Sequence, residues 1–298
     1  LKIMAELPEV ETVRAGLAEH VTGNSFTNVE VLNSRSIRQH LAGKRDFQKS
    51  LEEHEIRCVS RRGKFLWLPL LKDGDDTSRA LVMHLGMSGQ ALLVPKEAED
   101  ESQLRVRFVL DRDDVELRFV DQRMFGGVHV DSLEEIDGEW LPSSATHIAR
   151  DALDPKLDID QVVAKYRKRS AGVKSLLLNQ EIMSGVGNIY ADEALWLSKV
   201  HYLTPGNKLR TKDWLNLIQH VQNVMRAAVA AGGTSFDDLY VNTNGESGWF
   251  EIELNAYGQE GEPCRRCGRP IVREAWSNRS SHRCPRCQPK PRTPRRES

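Results

Sequence analysis

Hydrophobic and polar residues change their pattern about halfway along the chain. Between residues 26 and 130, short apolar stretches such as Leu104–Leu110 and Val115–Val120 are separated by turns that contain Gly and Asp. Short strands at this spacing are typical of a β-sandwich or a β-barrel. After residue 150, apolar positions recur every three to four residues. This period predicts helices over 158–168, 172–181, 188–199 and 211–231.

The stretches outside this pattern are interpreted from their composition. Pro8 and the acidic residues after it predict a helix before the first strand, because proline suits the first helical turn. Residues 131–150 are acidic and then contain Pro and Ser, which predicts a linker. Residues 234–249 lack periodicity, and a loop of this length is more often functional than accidental.

Length and charge narrow the class of protein. The chain has 298 residues, enough for two modest domains, and a net charge of −1. It has no apolar run long enough to span a membrane and no features of a secretory signal, so we expect a bacterial cytoplasmic enzyme. From residue 260 onward, eleven Lys and Arg residues stand against four acidic ones. This excess predicts a surface that binds a polyanion, with an ordinary solvated surface as the alternative.

Four of the five cysteines form two pairs separated by sixteen residues, Cys264 with Cys267 and Cys284 with Cys287. This spacing is typical of a structural zinc site, in which four thiolates complete the tetrahedral shell of Zn²⁺ and leave no position for catalysis. Two disulfides are the alternative, which a cytoplasmic location disfavours. Cys58 stands apart and is expected to be a buried free thiol.

A glycine-rich turn, Ser184–Gly187, lies between two predicted helices. Glycines let the backbone approach a ligand closely, and a helix N-terminus attracts phosphate. Because the turn follows a helix and not a strand, the pattern disfavours a dinucleotide or nucleoside-triphosphate site. It indicates either a phosphate contact or an ordinary turn between helices.

The segment from Met4 to Glu9 offers a nucleophile. An α-amino group has a pKa of about 8, against about 10.4 for lysine, so more of it is the free base at neutral pH. If Met4 is the initiator and is removed, Ala5 presents such an amine, which is suited to forming a Schiff base. Glu6 would then stand beside it as a general acid or base. An ordinary helix entry is the alternative explanation.

Six motifs occur in order along the chain. They are Glu6–Glu11, Arg62–Lys64, His84–Gly89, Asp121–Gly126, Gly185–Ala191 and Tyr257–Cys264. Together with the cysteine pairs, these motifs resemble the bacterial formamidopyrimidine-DNA glycosylases (8-oxoguanine DNA glycosylases), and the resemblance extends from about residue 5 to residue 288.

This resemblance implies an α+β fold in five parts. They are an N-terminal antiparallel β-sandwich with flanking helices over 1–133, a linker over 134–150, a helix–two-turn–helix DNA-binding domain over 151–256, a zinc-finger β-hairpin over 257–288 and a disordered basic tail over 289–298. It also implies one structural Zn²⁺ on the four paired cysteines, a DNA cleft between the domains, and a monomer associated with the bacterial nucleoid and not with a membrane.

The implied activity is base-excision repair of double-stranded DNA that contains oxidised bases or abasic sites. Such an enzyme flips an oxidised purine, 8-oxoguanine or a formamidopyrimidine, out of the helix. The terminal amine attacks C1′ of the sugar and the base leaves. The resulting Schiff base permits β- and δ-elimination, which cut the strand.

The family's site residues carry over onto individual positions. The resemblance implies catalytic roles for Ala5, Glu6, Lys64 and Lys174. It implies DNA contacts for His84, Met87, Arg123, Phe125, Asn188 and Arg279. Among these, Met87, Arg123 and Phe125 match the trio that fills the gap left by the flipped base. Residues 234–249 match the loop that closes over the extruded base.

The chain departs from the family at the nucleophile. The family has an N-terminal proline where this chain has Ala5, preceded by Leu1–Met4. Ala5 can attack only if these residues are removed, because its nitrogen is otherwise a peptide amide. Gln122 and Met124 replace the usual Pro and Arg, and we expect these changes to be tolerated. Two alternatives stay open: a catalytically impaired relative that binds damaged DNA, and a zinc-ribbon protein that binds RNA or single strands.

Overall fold

The computed structural model describes residues 5–112, 114–232 and 254–291. The expected loop at 234–249, the segment Leu1–Met4 and the tail from residue 292 lie outside the described residues. The described helices are α1 (Leu7–Val21), α2 (Lys44–Lys49), α3 (Ile159–Arg167), α4 (Val173–Leu177), α5 (Asn188–Ser198) and α6 (Thr211–Ala230). The described strands are β1 (Phe26–Val31), β2 (Glu55–Ile56), β3 (Ser60–Arg62), β4 (Phe65–Lys72), β5 (Asp75–His84), β6 (Gly89–Pro95), β7 (Leu104–Leu110), β8 (Val115–Asp121), β9 (Gly127–Ile136), β10 (Glu139–Pro142), β11 (Val272–Trp276) and β12 (Arg279–Arg283).

Two antiparallel sheets form the β-rich region. One has the strand order β1-β7-β8-β6, and the other has the order β10-β9-β5-β4-β2, with β3 paired to β4. Buried residues alternate with half-exposed ones along β7, as expected for a strand with one face on a core. The inner faces of both sheets contribute to one hydrophobic core, which also takes up the apolar side of α1. The sequence left a sandwich and a barrel open, and the two separate sheets identify a sandwich.

The chain divides into two compact units, which we describe separately. The first ends at His147 and also takes in the last turn of α6 from Ala228, while the second contains Ile148–Ala227 and the described C-terminal residues. No helix among the described residues is both long and apolar enough to cross a membrane.

Helices of the second unit follow the predicted pattern with one exception. Three of them, α3, α5 and α6, begin and end within one residue of the prediction. The fourth, α4, ends at Leu177 and not at residue 181. Its continuation is replaced by a turn in which the Asn179 side chain accepts the N–H of Glu181. The side chain of Gln180 bonds the N–H of Gly185 and the carbonyl of Val186, so polar side chains end the helix by binding the glycine turn.

The C-terminal hairpin pairs β11 with β12 in antiparallel register. Its two-residue turn consists of Ser277 and Asn278, which both have positive φ, at 43° and 59°. Such a turn matches the right-handed twist of the two strands. Arg279, the first residue of β12, is exposed directly after this turn.

Candidate active site

Ala5 and Glu6 lie at the start of α1, and both are buried. The backbone nitrogen of Ala5 donates to the carbonyl of Gly86 at 3.0 Å, and its methyl group belongs to the main core. Glu6 forms a reciprocal capping box with Glu9, in which each side chain accepts the backbone N–H of the other residue. The nitrogen and the carboxyl group that the sequence singled out are therefore both fixed by backbone contacts.

Lys64 and His84 lie close together in the first unit. Lys64 is in the turn between β3 and β4, and His84 ends β5, where its ring packs on Phe65 at a centroid distance of 5.1 Å. Burial is the main cause that lowers the pKa of His84 to about 4, and the nearby positive charges of Lys64 and Arg38 contribute to the same shift. At neutral pH His84 is therefore uncharged, and it can offer a phosphate a hydrogen bond but no positive charge.

The three residues assigned to the lesion gap lie on two neighbouring turns of the sandwich. Met87 is half-buried in the turn between β5 and β6. Arg123 and Phe125 are exposed in the turn between β8 and β9, and Phe125 is 53% exposed. An exposed phenylalanine beside an exposed arginine is suited to entering a nucleic-acid stack.

Asp121 joins these two turns, and the sequence analysis assigned it no role. Its fully buried carboxylate accepts the N–H of Gly126 at 2.8 Å and the N–H of Arg123 at 3.1 Å. It also accepts the hydroxyl of Ser88, next to Met87, at 2.5 Å. Asp121 is the first residue of the motif Asp121–Gly126, and this position could have indicated its role, because short acidic side chains often accept the N–H groups of the turn that follows them.

Lys174 and Asn188 both donate to the carbonyl of Ser280, each at 3.1 Å. Lys174 is completely buried, and its amine lies 2.6 Å from the carboxylate of Asp192, which is also completely buried. Asp192 in turn accepts the N–H of His282 at 2.9 Å. The structure thus places Lys174 and Asn188 against the backbone of Ser280, the residue after Arg279, with Lys174 buried and Asn188 partly exposed.

Glu193, the neighbour of Asp192 on α5, is a second buried acid that the sequence analysis missed. Its carboxylate accepts the backbone N–H groups of Asn255, Ala256 and Tyr257 at 2.8 to 2.9 Å. Two successive buried acids on a helix with many apolar residues were the available signal, because acids are rarely buried without partners. Through them, α5 holds both β12 and the segment before the zinc finger.

The four paired cysteines converge, and their sulfur atoms all lie within 4.8 Å of one another. Zn–S bonds of about 2.3 Å in a tetrahedron put sulfurs about 3.8 Å apart, so this cluster suits one zinc ion. All four are free thiols, which excludes the disulfide alternative in this structure. The cluster packs on Trp196 of α5, so a bound metal would stabilise the hairpin against this helix. Four thiolates would fill the coordination shell of the metal, which leaves no position for a catalytic role. Cys58, expected to be buried, is a partly exposed free thiol.

Family models match the chain in three consecutive segments. Residues 4–128 match the formamidopyrimidine-DNA glycosylase N-terminal domain, and residues 148–239 match the H2TH domain of the same family. Residues 261–290 match a zinc finger found in FPG and IleRS.

Individual proteins are similar over almost the whole chain. The formamidopyrimidine-DNA glycosylase of Salinispora tropica is 54% identical over 97% of this chain and 98% of its own length. That of Streptomyces coelicolor is 51% identical over 97% of this chain and 99% of its own. Among solved structures, Lactococcus lactis Fpg in complex with abasic-site DNA has a TM-score of 0.81 and 29% identity, covering 96% of this chain and 100% of that one. MutM in complex with DNA containing carbocyclic 8-oxo-G gives the same TM-score, identity and coverage.

Proposed function

The chain belongs to the formamidopyrimidine-DNA glycosylase family of DNA-repair glycosylases, and from this we propose that it excises oxidised purines from double-stranded DNA through an amine at Ala5. The observation that carries this proposal is the position of Ala5. Its nitrogen bonds Gly86, one residue before Met87, and Glu6 follows it directly. Nucleophile, acid and gap-filling residue thus belong to one connected part of the sandwich.

The proposed reaction begins when the lone pair of the amine forms a bond to C1′ of the flipped nucleotide. The glycosidic bond breaks, and the base leaves with its bonding electrons and takes up a proton. Opening of the sugar ring gives the Schiff base, with Glu6 supplying a proton to the ring oxygen. Loss of the C2′ proton expels the 3′-phosphate, and a second elimination expels the 5′-phosphate.

The second unit is proposed to bind the DNA backbone. Arg279 is exposed at the hairpin turn and is suited to a phosphate contact. Lys174 and Asn188 are proposed to act through the carbonyl of Ser280, which places that turn. Because Lys174 is buried in its ion pair, we assign it a positioning role in this structure. The structural zinc ion keeps the hairpin folded.

Borohydride trapping on a duplex that contains 8-oxoguanine tests the reaction. Two proteins are compared, one that begins at Ala5 and one that retains Leu1–Met4. We expect a covalent adduct only with the first, because a peptide nitrogen cannot form a Schiff base. The variant Glu6→Gln, made in the protein that begins at Ala5, should bind the duplex but trap far less adduct.

The outcomes separate the alternatives. A protein that begins at Ala5, binds the lesion duplex and neither traps nor releases base would refute the proposal and favour a catalytically impaired relative. Preference for RNA or single strands over the lesion duplex would favour a zinc-ribbon binding protein. Release of oxidised pyrimidines but not of 8-oxoguanine would refute the proposed substrate class alone.

A further inference from the structure

We propose that Arg38 is a positioning residue that holds the gap-filling loop, residues 122–126, in the shape that base extrusion requires. The proposal rests on the proposed function, because it takes Arg123 and Phe125 as the side chains that replace the flipped base. Arg38 belongs to none of the motifs. It follows a short 3₁₀ turn and lies 88 residues before Gly126 in the sequence.

Arg38 binds the loop through backbone carbonyls. One guanidinium nitrogen donates to the carbonyl of Gly126 at 2.6 Å, and another donates to the carbonyl of Phe125 at 2.9 Å. The side chain is anchored to its own turn by a bond of 3.1 Å to the carbonyl of Arg35. Because a guanidinium is planar and rigid, it fixes the spacing of the two loop carbonyls better than a lysine amine would.

Gly126 is consequently held from both sides. Its N–H donates to the buried carboxylate of Asp121, and its carbonyl accepts from Arg38. A Cβ atom on Gly126 would lie 2.7 Å from the carbonyl oxygen of His84, so the loop backbone is in close contact with the end of β5. The residue between the two gap-filling side chains, Met124, has a φ of 55°. A left-handed non-glycine residue persists only where its surroundings fix it, and Arg38 with Asp121 supplies those contacts.

The same contacts connect the loop to the nucleophile position. A Cβ atom on Gly86 would lie 2.5 Å from the nitrogen of Gly126, which shows that these two backbones touch. The carbonyl of Gly86 accepts the Ala5 nitrogen. The chain of contacts from Arg38 through Gly126 and Gly86 to Ala5 therefore sets where the gap-filling residues stand relative to the attacking atom.

Such a loop is ordered before DNA arrives. The Phe125 side chain is exposed and ready to insert, while its backbone carbonyl is already bound. A loop without these bonds would be ordered only on the DNA, and the cost of ordering would then oppose insertion. Loss of Arg38 should therefore slow the extrusion of a damaged base. It should have less effect on strand cleavage at an abasic site, where no base has to be extruded.

Single-turnover kinetics with saturating protein that begins at Ala5 test this inference. Duplexes carry either 8-oxoguanine or a preformed abasic site, and the variants are Arg38→Ala and Arg38→Lys. Arg35→Ala is the matched control, because it removes an exposed arginine of the same turn whose side chain donates to neither loop carbonyl. We expect Arg38→Ala to slow excision of 8-oxoguanine by about tenfold, the effect of losing a charged hydrogen bond. Cleavage of the abasic duplex should slow by no more than about twofold.

The rate of 8-oxoguanine excision by Arg38→Lys should lie between the rates of Arg38→Ala and the unsubstituted protein. Arg35→Ala should change the rates on the two duplexes by the same factor. A fluorescent base analogue beside the lesion reports unstacking directly, and its signal should rise more slowly in Arg38→Ala. Equal slowing on both substrates, or an equal effect in Arg35→Ala, would overturn the inference. If the unsubstituted protein excises nothing, the proposed function has failed. The fluorescence change still tests the role of Arg38 in that case, because unstacking of the base and insertion of the loop do not require base excision.

Discussion

Lys174 and Asp192 form an ion pair with no exposed surface on either side chain, and Lys174→Met tests what that pair contributes. The amine lies 2.6 Å from the carboxylate, donates to Ser280 at 3.1 Å and lies 4.9 Å from the ring centre of Trp276. Taking two charges out of water costs several kcal/mol each, and their attraction offsets this cost only while both are present. Removing one partner should therefore cost more than a surface ion pair contributes.

The structure sets the expected size of the loss. Breaking a buried pair costs roughly 3–5 kcal/mol of unfolding free energy. The loss in Lys174→Met should lie near the lower end of this range, because the Asp192 carboxylate still accepts hydrogen bonds from the Ser281 hydroxyl and the His282 N–H. The loss in Asp192→Asn should lie near the upper end of this range, because the completely buried ammonium then loses the carboxylate that lies 2.6 Å from it. The double variant should cost about 2 kcal/mol less than the sum of the single ones, since it buries no charge.

Urea unfolding, followed by release of zinc to a coloured chelator, measures the second unit specifically. Lys165→Met is the matched control, because Lys165 is an exposed lysine of the same unit. We expect the control to change the free energy of unfolding by less than about 0.5 kcal/mol. A loss below about 1 kcal/mol in Lys174→Met would refute the reasoning, because a pair of that strength behaves as an exposed one.

Three further predictions concern the metal, the pH and the DNA backbone. Cys284→Ser should abolish stoichiometric zinc binding and weaken DNA binding, as metal analysis and gel shift would show, because three thiolates cannot close the site. His84 has a folded pKa of about 4 against an ordinary 6.5, so the unfolded chain binds the extra proton between these values. The contribution of His84 to the free energy of unfolding should be complete above pH 6.5 and fall by about 2 kcal/mol from pH 7 to pH 5. Urea unfolding should show this loss in the unsubstituted protein and not in His84→Gln. Arg279→Ala should lower the slope of log affinity against log salt by about 1, measured by fluorescence anisotropy, and an unchanged slope would exclude a phosphate contact.

The sequence predicted those parts of the fold that depend on local pattern. The spacing of apolar residues located α3 and α6, which each have one face on a core, and also α5, which is buried on all sides from Ile189 to Trp196. Short apolar stretches between turns likewise located β7, and the cysteine spacing located the zinc cluster, because two short Cys-x2-Cys segments can bind one metal whatever the rest of the fold is. These features need only neighbours in sequence.

Contacts between distant residues could not be predicted in the same way. The bond from Arg38 to Gly126 spans 88 residues, and that from Lys174 to Ser280 spans 106. Neither arginine nor lysine shows by its local sequence which carbonyl it will reach. The end of α4 was missed for a related reason, since the side chain of Gln180 binds a turn that follows it and thereby competes with the helix.

The substitution of alanine for the family's proline changes the chemistry at residue 5 more than its geometry. A proline ring restricts the direction of its own nitrogen. Here a similar restriction comes from the surroundings, because Ala5 is only 3% exposed within the main core and its nitrogen donates to the carbonyl of Gly86 at 3.0 Å. Glu6, in its capping box with Glu9, fixes the backbone on the other side. Under the proposed function, a free amine at Ala5 would be directed by these contacts in place of a proline ring, and the proposal then depends on whether Ala5 carries an amine or an amide.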